Sequence, residues 1–120
     1  MISVLLADDN EVVRSVIAKL LKGDSEIELV AECTGFKQTL ELAAKFRPQV
    51  IIFDVHMCDE RLYTPAQIKS SLDGCRLLAI SVWKDDETKA LAESMGAASL
   101  LDKTILATEL IPAIKRNGKA

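Results

Sequence analysis

The feature that most constrains this chain is a set of short, continuous apolar runs, each ending on a polar or ionisable residue. Val4 to Ala7 runs into Asp8-Asp9, Val50 to Phe53 into Asp54, and Leu77 to Ile80 into Ser81. Runs of this length without alternation are the pattern of strands covered on both faces, as in a parallel sheet. Ile27, Leu29 and Ala31 alternate instead with Glu28, Val30 and Glu32, which fits an edge strand, and Ser99 to Leu101 makes a fifth strand.

Helical periods separate the runs. Val12, Val16 and Leu20 with Val13, Ile17 and Leu21 form one stripe, and Leu106, Leu110 and Ile114 with Ala107 and Ile111 form another. Phe36, Leu40 and Ala44 mark a second helix that stops before Pro48, and Ala90, Leu91 and Met95 mark a fourth that closes at Gly96. Asn10 and Asp85 are placed to cap the first and fourth helices. Between Met57 and Ser71, Cys58 to Arg61 reads as a loop and Pro65 to Ser71 as a short third helix. Lys115 to Ala120 reads as a frayed end or the start of a linker. Strict βα alternation implies right-handed crossovers and a doubly wound α/β sheet with helices on both faces. Pattern alone leaves the strand order open.

At 120 residues the chain matches one domain, 1–120. Its apolar runs are all far shorter than the roughly 18–20 residues needed to cross a bilayer. The first residues lack a basic flank and lead straight into Asp8-Asp9, so they read as a strand and not a signal peptide, and a cytoplasmic address is expected. Cys33, Cys58 and Cys75 show neither CxxC spacing nor a neighbouring histidine pattern, and are read as free thiols. A net charge of −3 gives no electrostatic basis for nucleic-acid binding by these residues.

In a doubly wound sheet, function gathers beyond the carboxyl ends of the strands. There Asp8, Asp9 and Asp54 converge with the Ser81 hydroxyl and the Lys103 amine. Three close carboxylates repel and have raised pKa values unless a cation neutralises them. An all-oxygen site with room for water and phosphate describes Mg²⁺ better than Ca²⁺. A lysine and a serine can then hold phosphoryl oxygens, with an aspartate as nucleophile.

Asp8-Asp9, Asp54 with Met57 three residues on, Ser81, Gly96-Ala97 and Lys103 resemble, across essentially the whole chain, the signature of bacterial two-component response-regulator receivers, notably those of helix-turn-helix transcription regulators. The resemblance implies a flavodoxin-like five-stranded sheet of order 2-1-3-4-5. It makes Asp54 the phosphoacceptor, Asp9 a direct Mg²⁺ ligand, Asp8 a ligand largely through water, and His56 a ligand by its backbone carbonyl. Lys103 pairs with Asp54 before phosphorylation and with the phosphoryl group after, while Ser81 swings toward a phosphoryl oxygen. The implied partners are a histidine kinase or phosphotransfer protein and a second copy in a homodimer, with slow self-dephosphorylation and no dedicated catalysis.

The chain departs from the family at Cys58, which stands where Pro is common, at Leu100, which stands where Tyr or Phe is usual, and at Val82, which replaces a small residue. Trp83 is expected on the partner face. These departures motivate a rival reading, a receiver-like binding module with weakened or phosphorylation-independent switching. A small metal-dependent phosphohydrolase shares the aspartate and lysine logic but needs a cap for which there is little room. Asp54-Val55-His56 also resembles the Asp-x-His-x-x-Gly of cobalamin-binding domains, but Asp59 replaces the glycine and the motif follows the third strand instead of the first. Taken singly, each residue has an ordinary explanation, such as an acidic helix start at Asp8-Asp9 or a cap at Ser81.

Overall fold

The computed structural model describes residues 1–118. Strands β1 (Ile2–Ala7), β2 (Ile27–Cys33), β3 (Val50–Asp54), β4 (Arg76–Ser81) and β5 (Ala97–Asp102) alternate with helices α1 (Glu11–Lys22), α2 (Phe36–Phe46), α3 (Pro65–Ser71), α4 (Asp86–Ser94) and α5 (Leu106–Gly118). All strand pairs are parallel, in the order β2-β1-β3-β4-β5. The expected fold class and order are therefore both present, and the half-polar Ile27 segment lies at a sheet edge as its alternation required.

Side-chain alternation along the strands divides the core into two layers. Val4, Leu6, Ile52, Leu78 and Ile80 face α1 and α5, where Ile17, Leu21, Leu110 and Ile114 meet them. Leu5, Ala7, Ile51, Phe53 and Ala79 face the other way, against Phe36, Ile68, Ala92 and Met95 of α2, α3 and the α4 end. Every residue from Val50 to Phe53 is fully buried, which explains why β3 shows no alternation. Each such aliphatic side chain stabilises the fold by roughly 1.5–3 kcal/mol relative to exposure.

Helix boundaries follow local chemistry. Asn10 accepts from the Val13 N–H to cap α1, Asp85 accepts from Thr88 N–H to cap α4, and Thr64 with Gln67 forms a capping box ahead of Pro65 in α3. After α4 the chain passes through Gly96 at φ +90°, where a β-carbon would also press on Lys69 at 3.1 Å; only glycine fits the turn into β5 without strain.

The structure corrects several finer expectations. Val12 and Val16 are 72% and 52% exposed, so the buried stripe of α1 runs through Val13, Ile17, Ala18 and Leu21. A helix resting on a twisted sheet buries only one narrow arc, and the two valines fall outside it. For the same reason Ala44, Ala90 and Ala107 are exposed, while Ala43, Ala92 and Leu110 are buried. The loop after Met57 contains a single 3-10 turn, Glu60–Leu62. Lys115 to Gly118 are helical and not frayed, and Lys115 bridges Asp24 at 3.0 Å and Glu26 at 3.3 Å. Lys119 and Ala120, part of the same expected end, lie outside the described residues.

Candidate functional site

Ala7 of β1 pairs with Phe53 of β3, so the next residues, Asp8 and Asp54, leave the sheet side by side. On the other flank Asp54 pairs with Ile80, and Ser81 with Asp102. Register alone thus brings the ends of β1, β3, β4 and β5 to one rim, where Asp8, Asp9 and Asp54 offer carboxylate oxygens within 4.8 Å of one another.

Each group is held in place. The Asp8 backbone donates to the Cys33 carbonyl at 3.1 Å, its own carbonyl accepts from the Arg14 guanidinium at 2.8 Å, and its Oδ1 accepts from the Asn10 N–H at 2.8 Å. Asp54 Oδ1 accepts from the His56 N–H at 3.0 Å, and Oδ2 accepts from Lys103 Nζ at 2.9 Å. Lys103 opens a 3-10 turn that Asp102 caps through Thr104, whose hydrogen bonds hold the Asp102 carboxyl below its ordinary pKa. That turn aims the lysine back over the sheet end.

Lys103 Nζ lies 2.8 Å from Asp8 Oδ2 as well. Asp8 is fully buried, and its Oδ2 has this charge beside it but no well-directed hydrogen-bond donor. Burial pushes the Asp8 carboxyl above its ordinary value, against the lowering effect of Lys103 and the Asn10 N–H, and the Asp54 charge adds to the rise. Burial would lower the Lys103 pKa, but the close Asp8 and Asp54 carboxylates more than offset it, so the amine stays protonated. The site therefore holds more negative charge than one ammonium neutralises. An under-coordinated buried oxygen in an all-oxygen set fits a small hard divalent cation such as Mg²⁺.

The structure brings together Asp8, Asp9, Asp54 and Lys103. His56 borders them through its backbone, while its exposed ring meets Glu60 Oε2 at 3.0 Å. Ser81 is buried at the end of β4, but its Oγ accepts from the Trp83 N–H at 2.9 Å and is bonded neither to Lys103 nor to the carboxylates. Trp83 is 61% exposed and Val82 57%. Leu100 is half-buried against the Phe53 layer and lines a cleft of about 320 Å³ with Lys84, Lys89 and Ala92. Sequence reasoning missed three features: the second partner of Lys103, the Arg14 clasp on Asp8, and the attachment of Asp59 to α2. Only the last had a signal, since α2 begins at a glycine with no acidic residue in its first turn and needs a cap from elsewhere.

Residues 4–115 match the family model described as the response regulator receiver domain. Among curated relatives, the chain is 32% identical over 120 residues to the transcriptional regulatory protein LiaR of Bacillus subtilis, spanning 99% of this chain and 57% of that protein. It is 29% identical over 119 residues to the response regulator protein VraR of Staphylococcus aureus, spanning 98% of this chain and again 57% of the relative. The chain thus spans little more than half the length of the curated relatives it matches. Among solved structures, the signal receiver domain of the putative response regulator NarL from Mycobacterium tuberculosis superposes with a TM-score of 0.87 at 25% identity, covering 99% of this chain and 97% of that one.

Proposed function

The chain belongs to the response regulator receiver family of two-component systems, and from that premise we propose that it accepts a phosphoryl group on Asp54 from a histidine kinase or phosphotransfer protein and switches partner contacts in response. The observation that carries this reading is the double hold on Asp54, with a backbone N–H on one oxygen and Lys103 on the other, beside two further carboxylates.

An Asp54 oxygen attacks the phosphorus in line with the donor's P–N bond. The new O–P bond makes an acyl phosphate, and the leaving imidazole nitrogen takes up a proton. Asp9 and Asp54 with the His56 carbonyl would hold Mg²⁺ directly, with Asp8 holding it largely through water. When bound, the ion neutralises the carboxylates and the phosphoryl oxygens. Lys103, released from Asp54 Oδ2, pairs with a phosphoryl oxygen as a point charge, and the Ser81 hydroxyl donates to another. Positioning and charge neutralisation supply the rate, as in phosphoryl transfer generally. Slow attack by water resets the site, so the domain is a phosphoacceptor and not a dedicated enzyme.

Drawing Ser81 Oγ toward the phosphoryl group strains its bond to the Trp83 N–H, so the loop carrying exposed Val82 and Trp83 is the element that senses the charge. On this reading residues 1–120 act as one receiver domain in the cytoplasm and pair with a second copy; the relative named as a transcriptional regulatory protein, of whose length this chain spans 57%, supports transcriptional output through a longer protein. DNA contact would fall outside these residues. Among the described residues no helix is long and apolar enough to cross a membrane.

Half-buried Leu100, without an aromatic ring, favours a second reading in which partners bind this domain alike with and without phosphate. Peptide mapping after treatment with acetyl phosphate, Mg²⁺ and then hydroxylamine tests the primary reading. A hydroxamate at Asp54 supports it, and a modification elsewhere, or none, counts against it.

A further inference from the structure

The loop between β3 and α3 carries the His56 N–H that bonds Asp54 Oδ1, yet Cys58 within it leaves φ unrestricted and its N–H makes none of the described hydrogen bonds. Met57 is buried. Within the loop the Glu60 N–H donates to the Met57 carbonyl at 3.0 Å and the His56 ring meets Glu60; what ties it to the rest of the fold on this side is Asp59, whose Oδ1 accepts from the Phe36 N–H at 2.8 Å and Oδ2 from the Lys37 N–H at 3.0 Å. These are first-turn amides of α2, whose N-cap residue Gly35 provides no side-chain cap. A β-carbon on Gly35 would come within 2.9 Å of the Asp59 carboxylate, so the glycine is what admits it. Phe36 adds apolar contacts at both ends of the loop, with ring centroids 6.0 Å from Phe53 and 6.3 Å from Tyr63.

We infer that Asp59 is a positioning residue for the acceptor site: clamped on the N-terminus of α2, it holds the loop so that the His56 N–H orients Asp54 and the His56 carbonyl stays where the cation would bind. Two charge-assisted hydrogen bonds reinforced by the helix dipole give this clamp its strength. A cap that served α2 alone would need no connection to this loop; a Ser or Asp at the N-cap would supply one locally, but its β-carbon would displace the Asp59 carboxylate that Gly35 admits. The inference rests on the proposed role of Asp54 and names a residue outside the set that touches the phosphoryl group.

The test compares wild type, Asp59→Ala, Asp59→Asn, and Asp59→Ala combined with Cys58→Pro, since proline restricts the loop by a route that does not involve α2. Two quantities are read: hydrogen exchange of the loop amides from Val55 to Glu60 in metal-free protein, and Mg²⁺ affinity from Trp83 fluorescence. Asp59→Ala is expected to speed loop exchange and weaken Mg²⁺ binding about 10-fold, the lower end for residues that orient metal ligands. Asp59→Asn, which keeps one acceptor oxygen, falls between it and wild type. The proline variant recovers most of the Mg²⁺ affinity without restoring protection to the α2 first turn. Asp59→Ala matching wild type in both quantities, or a double variant no better than Asp59→Ala, overturns the inference. Absence of Mg²⁺ binding in wild type would instead strike the proposed function itself.

Discussion

Replacing Lys103 with Met keeps the apolar stem and removes the one ammonium that faces both buried carboxylates. At 2.8 and 2.9 Å from Asp8 and Asp54, each attraction amounts to about 6 kcal/mol at an effective dielectric of about 20. Desolvation of the amine, whose side chain is only 10% exposed, cancels much of that sum. Truncating one member of a buried ionic group nonetheless costs about 3–5 kcal/mol, because the remaining charges are left uncompensated. Lys103→Met is therefore expected to lose about that much stability at pH 7 in EDTA, measured by urea denaturation, and to remain folded if wild type has the usual reserve of about 5–15 kcal/mol. Removing a cation from beside the carboxylates also tightens Mg²⁺ binding, so the penalty shrinks as Mg²⁺ is raised. It shrinks too as pH falls, since burial raises the Asp8 pKa and its protonation removes one of the uncompensated charges. A loss below about 1 kcal/mol in EDTA, or one that neither Mg²⁺ nor acid reduces, would refute the electrostatic reasoning.

Three further outcomes are expected. Burial raises the native pKa of Asp8 above 3.8, so the folded state binds the extra proton; the stability this group contributes is complete below the unfolded pKa and is lost as pH rises through the native value. Asp8→Asn should accordingly be more stable than wild type at neutral pH in EDTA and converge with it in acid, and melting curves across pH would show the reverse ordering if Asp8 were stabilised as a carboxylate. Ser81→Ala should leave Mg²⁺ binding intact but abolish the change in Trp83 emission on treatment with beryllofluoride, whereas an unaltered change would place the loop's sensor elsewhere. Asn10→Ala should cost about 1 kcal/mol by urea denaturation through loss of the α1 cap, and a neutral result would mean Glu11 and solvent satisfy those amides.

The strands were legible because burial on both faces leaves continuous apolar runs, and the ionisable residue closing each run marked the rim where the site forms. Strand order was not legible from pattern, which is insensitive to which buried strands are neighbours; it followed from the family resemblance. The buried stripe of α1 is narrower than its apolar pattern because Val12 and Val16 share a helical period with Val13 and Ile17, and periodicity cannot say which edge of a stripe the sheet covers. The pairing of Lys103 with Asp8 depends on a 3-10 turn whose direction no spacing rule encodes. Asp59 and α2 meet across 23 positions of sequence, a separation that no local pattern spans.

Intact mass after incubation with acetyl phosphate and Mg²⁺, for wild type, Asp54→Asn and wild type in EDTA, tests the central claim most directly. The account predicts a gain of one phosphoryl group in wild type alone. A gain that survives in Asp54→Asn or without metal, or no gain in any sample while Mg²⁺ still binds, would contradict it.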